Sequence, residues 1–241
     1  MHIAVADLVT GCYPHSAAVA GIIGAKANNG IGIQGILPNV QIVSISVSSA
    51  LTIAPDFPHN CQNPTFSASN VKSALDWVEL DLTNNNSGRP AVVNISLNAD
   101  STDPGWPAMK SDIQALVANT SNGHVGAFVV QSAGNNLDEV CNHAFTANLC
   151  LPSVADGVMV VGAINSHGQP VVPLNGFPGF WEDYGAFLHD SGSNFGNGVE
   201  VWAPGENILT TASNSTYQLL DHTTIYYQDG NISYSSVGRG S

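Results

Sequence analysis

Three short apolar runs limit what this chain can fold into more than any other feature. They are Ala91-Val-Val-Asn-Ile-Ser-Leu97, Gly126-Ala-Phe-Val-Val-Gln131 and Val158-Met-Val-Val-Gly-Ala163. Near-continuous Val/Ile strands of this kind belong to parallel sheets covered on both faces. Ile42-Val-Ser-Ile-Ser-Val47 reads as another strand, and the opening Met1-His-Ile-Ala-Val-Ala-Asp7 as the middle of one. Between these runs the period changes. Ser67 to Leu82 places Val71, Ala74, Leu75 and Val78 on one helical face, and Pro107 to Val117 reads as a second helix. The expected fold is one three-layer αβα domain over residues 1–241 with a mostly parallel central sheet. From Phe177 to Ser241 the chain turns rich in Gly, Asn, Ser and Tyr, which predicts short strands and turns. On such a scaffold, function gathers in loops at the C-terminal ends of the strands.

Charge removes several classes of partner. Five basic residues against eighteen acidic ones give a formal charge of −13. Phosphate-binding surfaces need clustered Lys and Arg, so neither nucleic acid nor an anionic membrane is an expected partner. No stretch of about 18 apolar residues exists, so no bilayer-spanning helix is expected. The first residues carry no basic region or cleavage site and do not read as a signal peptide.

Four cysteines, Cys12, Cys61, Cys141 and Cys150, suit an oxidising compartment and allow three pairings. The short loop favours Cys141 with Cys150, which leaves Cys12 with Cys61. Sequons begin at Asn85, Asn94, Asn119, Asn214 and Asn231. Asn94 falls within an expected buried strand and is discounted.

Three segments carry candidate chemistry. His15 opens a run of very small residues, Ser-Ala-Ala-Val-Ala-Gly21, which suits a helix packed against neighbouring backbone. A histidine at the start of such a helix is rigidly aimed, as a general base must be. Ser132-Ala-Gly-Asn135 ends an apolar strand and offers an amide suited to an oxyanion. Gly238-Arg-Gly-Ser241 places a serine among glycines, which permit a tight turn and close substrate approach.

In that order, these segments resemble the subtilisin-like serine proteases, the S8 family or subtilases. The stretch from His15 to Pro38 resembles the family's histidine motif, the helix after it and the loop closing on Pro. Val93-Asn-Ile-Ser-Leu97 resembles the substrate-lining strand. Val199-Glu-Val-Trp-Ala-Pro-Gly205 resembles the strand and turn leading to the serine. The resemblance implies His15 as general base, Asn135 as oxyanion donor, and Ser241 as nucleophile or its immediate neighbour. Ser96, Leu97 and Asn98 would run along a bound peptide and wall its P1 pocket. It implies a secreted, monomeric serine endopeptidase acting on peptide or protein substrates without a cofactor for its chemistry. Asn28-Asn-Gly-Ile-Gly-Ile33 resembles the family's calcium loop, so a structural calcium ion is implied, with Asn29 and backbone carbonyls as ligands. No catalytic metal is expected.

The departures from the family pattern lie at the histidine, after the substrate-lining strand and at the serine, where Arg239-Gly240-Ser241 stands in place of Gly-Thr-Ser. Ser16-Ala17 replaces Gly-Thr after the histidine, and Asn98 replaces a glycine. Asp7 is the one acid before His15, and Leu8-Val9 follows it instead of Ser/Thr-Gly. The expectation is therefore a catalytic domain truncated at both ends. It would lack the aspartate strand and the small-residue helix that follows the serine in the family; Asp7 is the alternative to an upstream aspartate as the acid that orients His15. The alternative is a catalytically dead relative that binds peptides or proteins.

Overall fold

A computed structural model describes residues 2–6, 15–45, 47, 67–84, 90–97, 109–118, 126–135, 137–140, 157–165, 167–170, 192–205, 208–211, 224–229 and 232–237. The elements begin with strand β1 (His2–Ala6), helix α1 (His15–Gly24), strand β2 (Gln41–Ile45) and helix α2 (Ala68–Asn84). Strand β3 (Ala91–Ile95), helix α3 (Met109–Ala118), β4 (Ala127–Ser132), β5 (Val158–Ile164) and β6 (Val201–Pro204) follow. Three further strands close the series: β7 (Ile208–Thr211), β8 (Thr224–Asp229) and β9 (Ile232–Val237).

Six strands form one sheet in the order β2-β1-β3-β4-β5-β6, and every pairing in it is parallel. The expected mostly parallel sheet is present. Its strand order reverses between β1 and β3, because β2 lies on one side of β1 and all later strands lie on the other. Right-handed crossovers then put α1 on one face of the sheet and α2 and α3 on the other. Strands β7, β9 and β8 form a separate antiparallel sheet. The described elements bear out the expected strands and helices with ends shifted by a few residues.

The main core lies between the sheet and the α2/α3 layer. Ala68, Val71, Ala74, Leu75, Val78 and Leu82 are the buried positions of α2, at helical spacing. Ser67 caps that helix: its Oγ accepts from the Asn70 N–H at 3.3 Å, and Asn70 Nδ2 donates to the Val47 carbonyl at 3.0 Å. From α3, Met109, Ile113 and Leu116 are buried; from the sheet, alternate residues Ala91, Val93, Ile95, Ala127, Val129, Val158 and Val160 meet them. The opposite face is covered more thinly, since Phe128 of β4 keeps 40% of its surface exposed. There α1 packs toward β1, β2 and β7 rather than across β4.

Candidate active site

A doubly wound sheet gathers ligands at the C-terminal strand ends where its order reverses. Strands β1, β3 and β4 end at that edge. Strand β1 ends at Ala6 and is followed in sequence by Asp7; α1 begins at His15. Ser96 and Leu97 follow β3, and Ala133, Gly134 and Asn135 follow β4. The register fixes their relation, with Ala6 opposite Ile95 and Ile95 opposite Gln131.

Ser96 and Leu97 follow β3 outside regular secondary structure. Ser96 is half-buried and its Oγ accepts from Asn94 Nδ2 at 2.9 Å. This occupied, half-buried Asn94 lies within β3, as its sequon was expected to. The Leu97 side chain is buried and belongs to the main core.

Asn135 stands on a turn with unusual backbone. Gly134 has φ +105° and Leu137 φ +52°. Glycine adopts the first readily; a branched residue such as leucine adopts the second only under tertiary constraint. The constraint comes from residues 192–195. Gly192 N–H donates to the Asn135 carbonyl (3.1 Å) and Leu137 N–H to the Gly192 carbonyl (3.0 Å). Asn194 N–H donates to the Gly134 carbonyl at 2.8 Å. The Asn135 side chain has its Oδ1 buried without a partner.

Helix α1 is anchored from below. Thr211 Oγ1 donates to the Ala17 carbonyl at 2.5 Å, and Thr210 Oγ1 donates to that of Ala18. Both threonines sit on β7, which pairs with β9 through Ile208–Val237 and Thr211–Tyr234. Val237 precedes Ser241 by four residues. Neither these threonines nor Asn194 was singled out from the sequence. Small polar residues in a Ser/Asn/Thr-rich tail give no signal until their partners, more than fifty residues away, are known.

The loop after α1 carries φ +57° at Asn28, +70° at Gly30 and +60° at Gly32. Asn29 Oδ1 accepts from the Ile31 N–H at 3.0 Å. Residues 27–40 contain no acid. Asp138 and Glu139 lie beside residues 194–196, where Asp138 N–H donates to Asn194 Oδ1 at 3.1 Å. Several expectations lie outside the described residues: Ser241, Asn98, Asp7, all four cysteines and the sequons at Asn85, Asn119, Asn214 and Asn231.

This sheet order, with its small-residue helix and Asn-bearing turn at the switch point, defines an α/β domain of subtilisin-like architecture. Solved structures agree. A cold adapted subtilisin-like serine proteinase superposes with TM-score 0.56 at 20% identity, covering 99% of this chain and 69% of that one. The S41 psychrophilic protease gives 0.58 at 14% identity, covering 99% and 71%. The model of Peptidase S8, the subtilase family, matches residues 6–236, and the chain belongs to that family. The thermostable alkaline protease of Halalkalibacterium halodurans is 26% identical over 211 residues, 88% of this chain and 43% of the relative. Subtilisin Savinase of Lederbergia lenta is equally similar, with 58% of its length covered. The extracellular basic protease of Dichelobacter nodosus is 26% identical over 200 residues, covering 82% of this chain and 25% of the relative. The chain thus spans between a quarter and three-fifths of these relatives.

Proposed function

We propose that this chain carries the catalytic machinery of a secreted serine endopeptidase that cleaves peptide bonds through an acyl-enzyme. One observation carries the reading. Strands β1, β3 and β4 end level with one another at one edge of the sheet, Ala6 opposite Ile95 and Ile95 opposite Gln131, and Ser96 and Asn135 follow there. His15 takes the proton from the nucleophile and returns it to the leaving amine. Asn135 donates to the oxyanion of the tetrahedral intermediate. Ser241 or its neighbour attacks the carbonyl, and the backbone of Ser96 and Leu97, continued by Asn98, lies along the substrate.

Asp7 completes the set as the acid that orients His15. Strand β1 sits between β2 and β3, and Asp7 is the next residue after its end. This placement favours Asp7 over an aspartate upstream, even though Leu8-Val9 departs from the family pattern.

Calcium would serve structure only. Asn29 Oδ1 and the carbonyls of residues 28–33 are neutral oxygen donors, which fit part of a calcium sphere and suit no thiophilic metal. When bound, the ion would stiffen the loop that ends α1; it takes no part in proton or acyl transfer.

The test uses the full-length gene product. It should label covalently with a fluorophosphonate, and His15→Ala should abolish labelling. Asn135→Ala should lower kcat by about 10²–10³, the loss known for the equivalent donor of subtilisin. A protein that never labels yet binds peptides would be the non-catalytic relative instead. Labelling that survives His15→Ala would remove the assigned base.

A further inference from the structure

We propose that Asn194 is a positioning residue for the oxyanion donor: its side-chain amide ties together the two arms of the turn that carries Asn135. This role rests on the protease reading above. Asn194 is fully buried. Its Nδ2 donates to the Ala133 carbonyl at 2.9 Å, on the arm before Asn135. Its Oδ1 accepts from the Asp138 N–H at 3.1 Å, on the arm after it. The backbone adds a third tie, from Asn194 N–H to the Gly134 carbonyl.

The clamp is itself held. Ser193 Oγ accepts from the Ala163 N–H at 2.9 Å and donates to the Asn194 carbonyl at 3.0 Å, which fastens the segment to β5. Phe195 N–H donates to the Asp138 carbonyl and Val140 N–H to that of Phe195. Two sequence-distant stretches are thus stitched together around a single turn containing a left-handed leucine. A side chain that both donates and accepts is required at the centre. Aspartate loses the donor when ionised, serine is too short to span both arms, and leucine offers neither group.

The role predicts a particular kinetic signature. An oxyanion contact strengthens in the transition state, so misaligning its donor lowers kcat and leaves KM nearly unchanged. The experiment measures kcat and KM on a peptide amide for the full-length protein. Asn194→Asp and Asn194→Ser are compared alone and in an Asn135→Ala background. Each single change should lower kcat by about 10- to 100-fold. In the Asn135→Ala background the same changes should lower kcat by no more than about twofold, because the misaligned donor is already gone. A loss that repeats in full in that background would show that Asn194 acts elsewhere and overturn the proposal. If Asn194→Ser does not accumulate as folded protein, Asn194→Asp carries the same comparison with its size and acceptor kept. A parent protein without turnover would instead overturn the protease reading, and with it the reaction Asn194 would serve.

Discussion

Thr211 Oγ1 lies 2.5 Å from the carbonyl oxygen of Ala17, although 194 residues separate the two in sequence. The neighbouring Thr210 makes the same bond to Ala18. Both acceptors are in the helix that begins with His15, and both donors are on the strand that pairs with β9, from which the chain runs on to Ser241. Each carbonyl uses a lone pair that helical bonding leaves over. The bonds therefore tie the helix that begins with His15 to the β7–β9 pair.

Thr210→Val removes the hydroxyl and nearly keeps the shape. Thr210 is fully buried, so about 1 kcal/mol of stability should be lost with the bond. That corresponds to a Tm lower by about 2–4 °C in a protein of this size. Thr211→Val, at a half-buried site, should cost less. Thermal unfolding followed by circular dichroism checks the order; an unchanged Tm for Thr210→Val would mean that the hydroxyl does not anchor the helix.

Gly21 lets α1 approach this strand. Alanine at position 21 would gain about 1 kcal/mol of helix propensity. Its Cβ would also fall 2.9 Å from Thr210 Oγ1 and 2.9 Å from Thr211 Cγ2, and closer still to Thr211 Oγ1. Overpacking of this kind costs about 1–3 kcal/mol. Gly21→Ala should therefore lower Tm, and adding Thr211→Ala should recover most of the loss. A rise in Tm for the single change would show that the strand yields to the methyl group.

The sheet was legible because its signal is local: Val/Ile runs and helical spacing lie within windows of five to seventeen residues. The family resemblance was legible for the same reason, as His15-to-Gly21 and Ser132-to-Asn135 are contiguous. Asn194, Thr210 and Thr211 were not, because their meaning depends on partners in distant segments. The thin cover over Phe128 was missed too: an apolar run says that a strand is buried, but not how many helices share each face.

Gln131 is the least comfortable residue of the core. It is fully buried and neither amide atom has a hydrogen-bond partner. Its register neighbours on the same face are Ile95 and Val160. A buried amide without partners costs about 1–3 kcal/mol. Gln131→Met keeps the length and removes both polar groups, so Tm should rise by several degrees, at about 2–4 °C for each kcal/mol. A fall in Tm would point to a bound water that satisfies the amide.

Asp7→Asn decides where the orienting acid lies. Parallel pairing on both sides of β1 sets Ala6 level with Ile45 and with Ile95. The chain therefore leaves β1 at the edge from which Ser96 and the Asn135 turn also emerge. Only seven residues separate Asp7 from His15, which keeps the acid within short chain reach of the imidazole. Asparagine preserves the size but favours the wrong imidazole tautomer, a change that lowers kcat by about 10⁴ in a Ser-His-Asp triad. The same loss is expected here in the full-length protein, with KM little altered because substrate contacts remain. If an aspartate upstream of this sequence held His15 instead, kcat of Asp7→Asn would stay close to that of the parent. The two outcomes differ by orders of magnitude, so one pair of progress curves separates them.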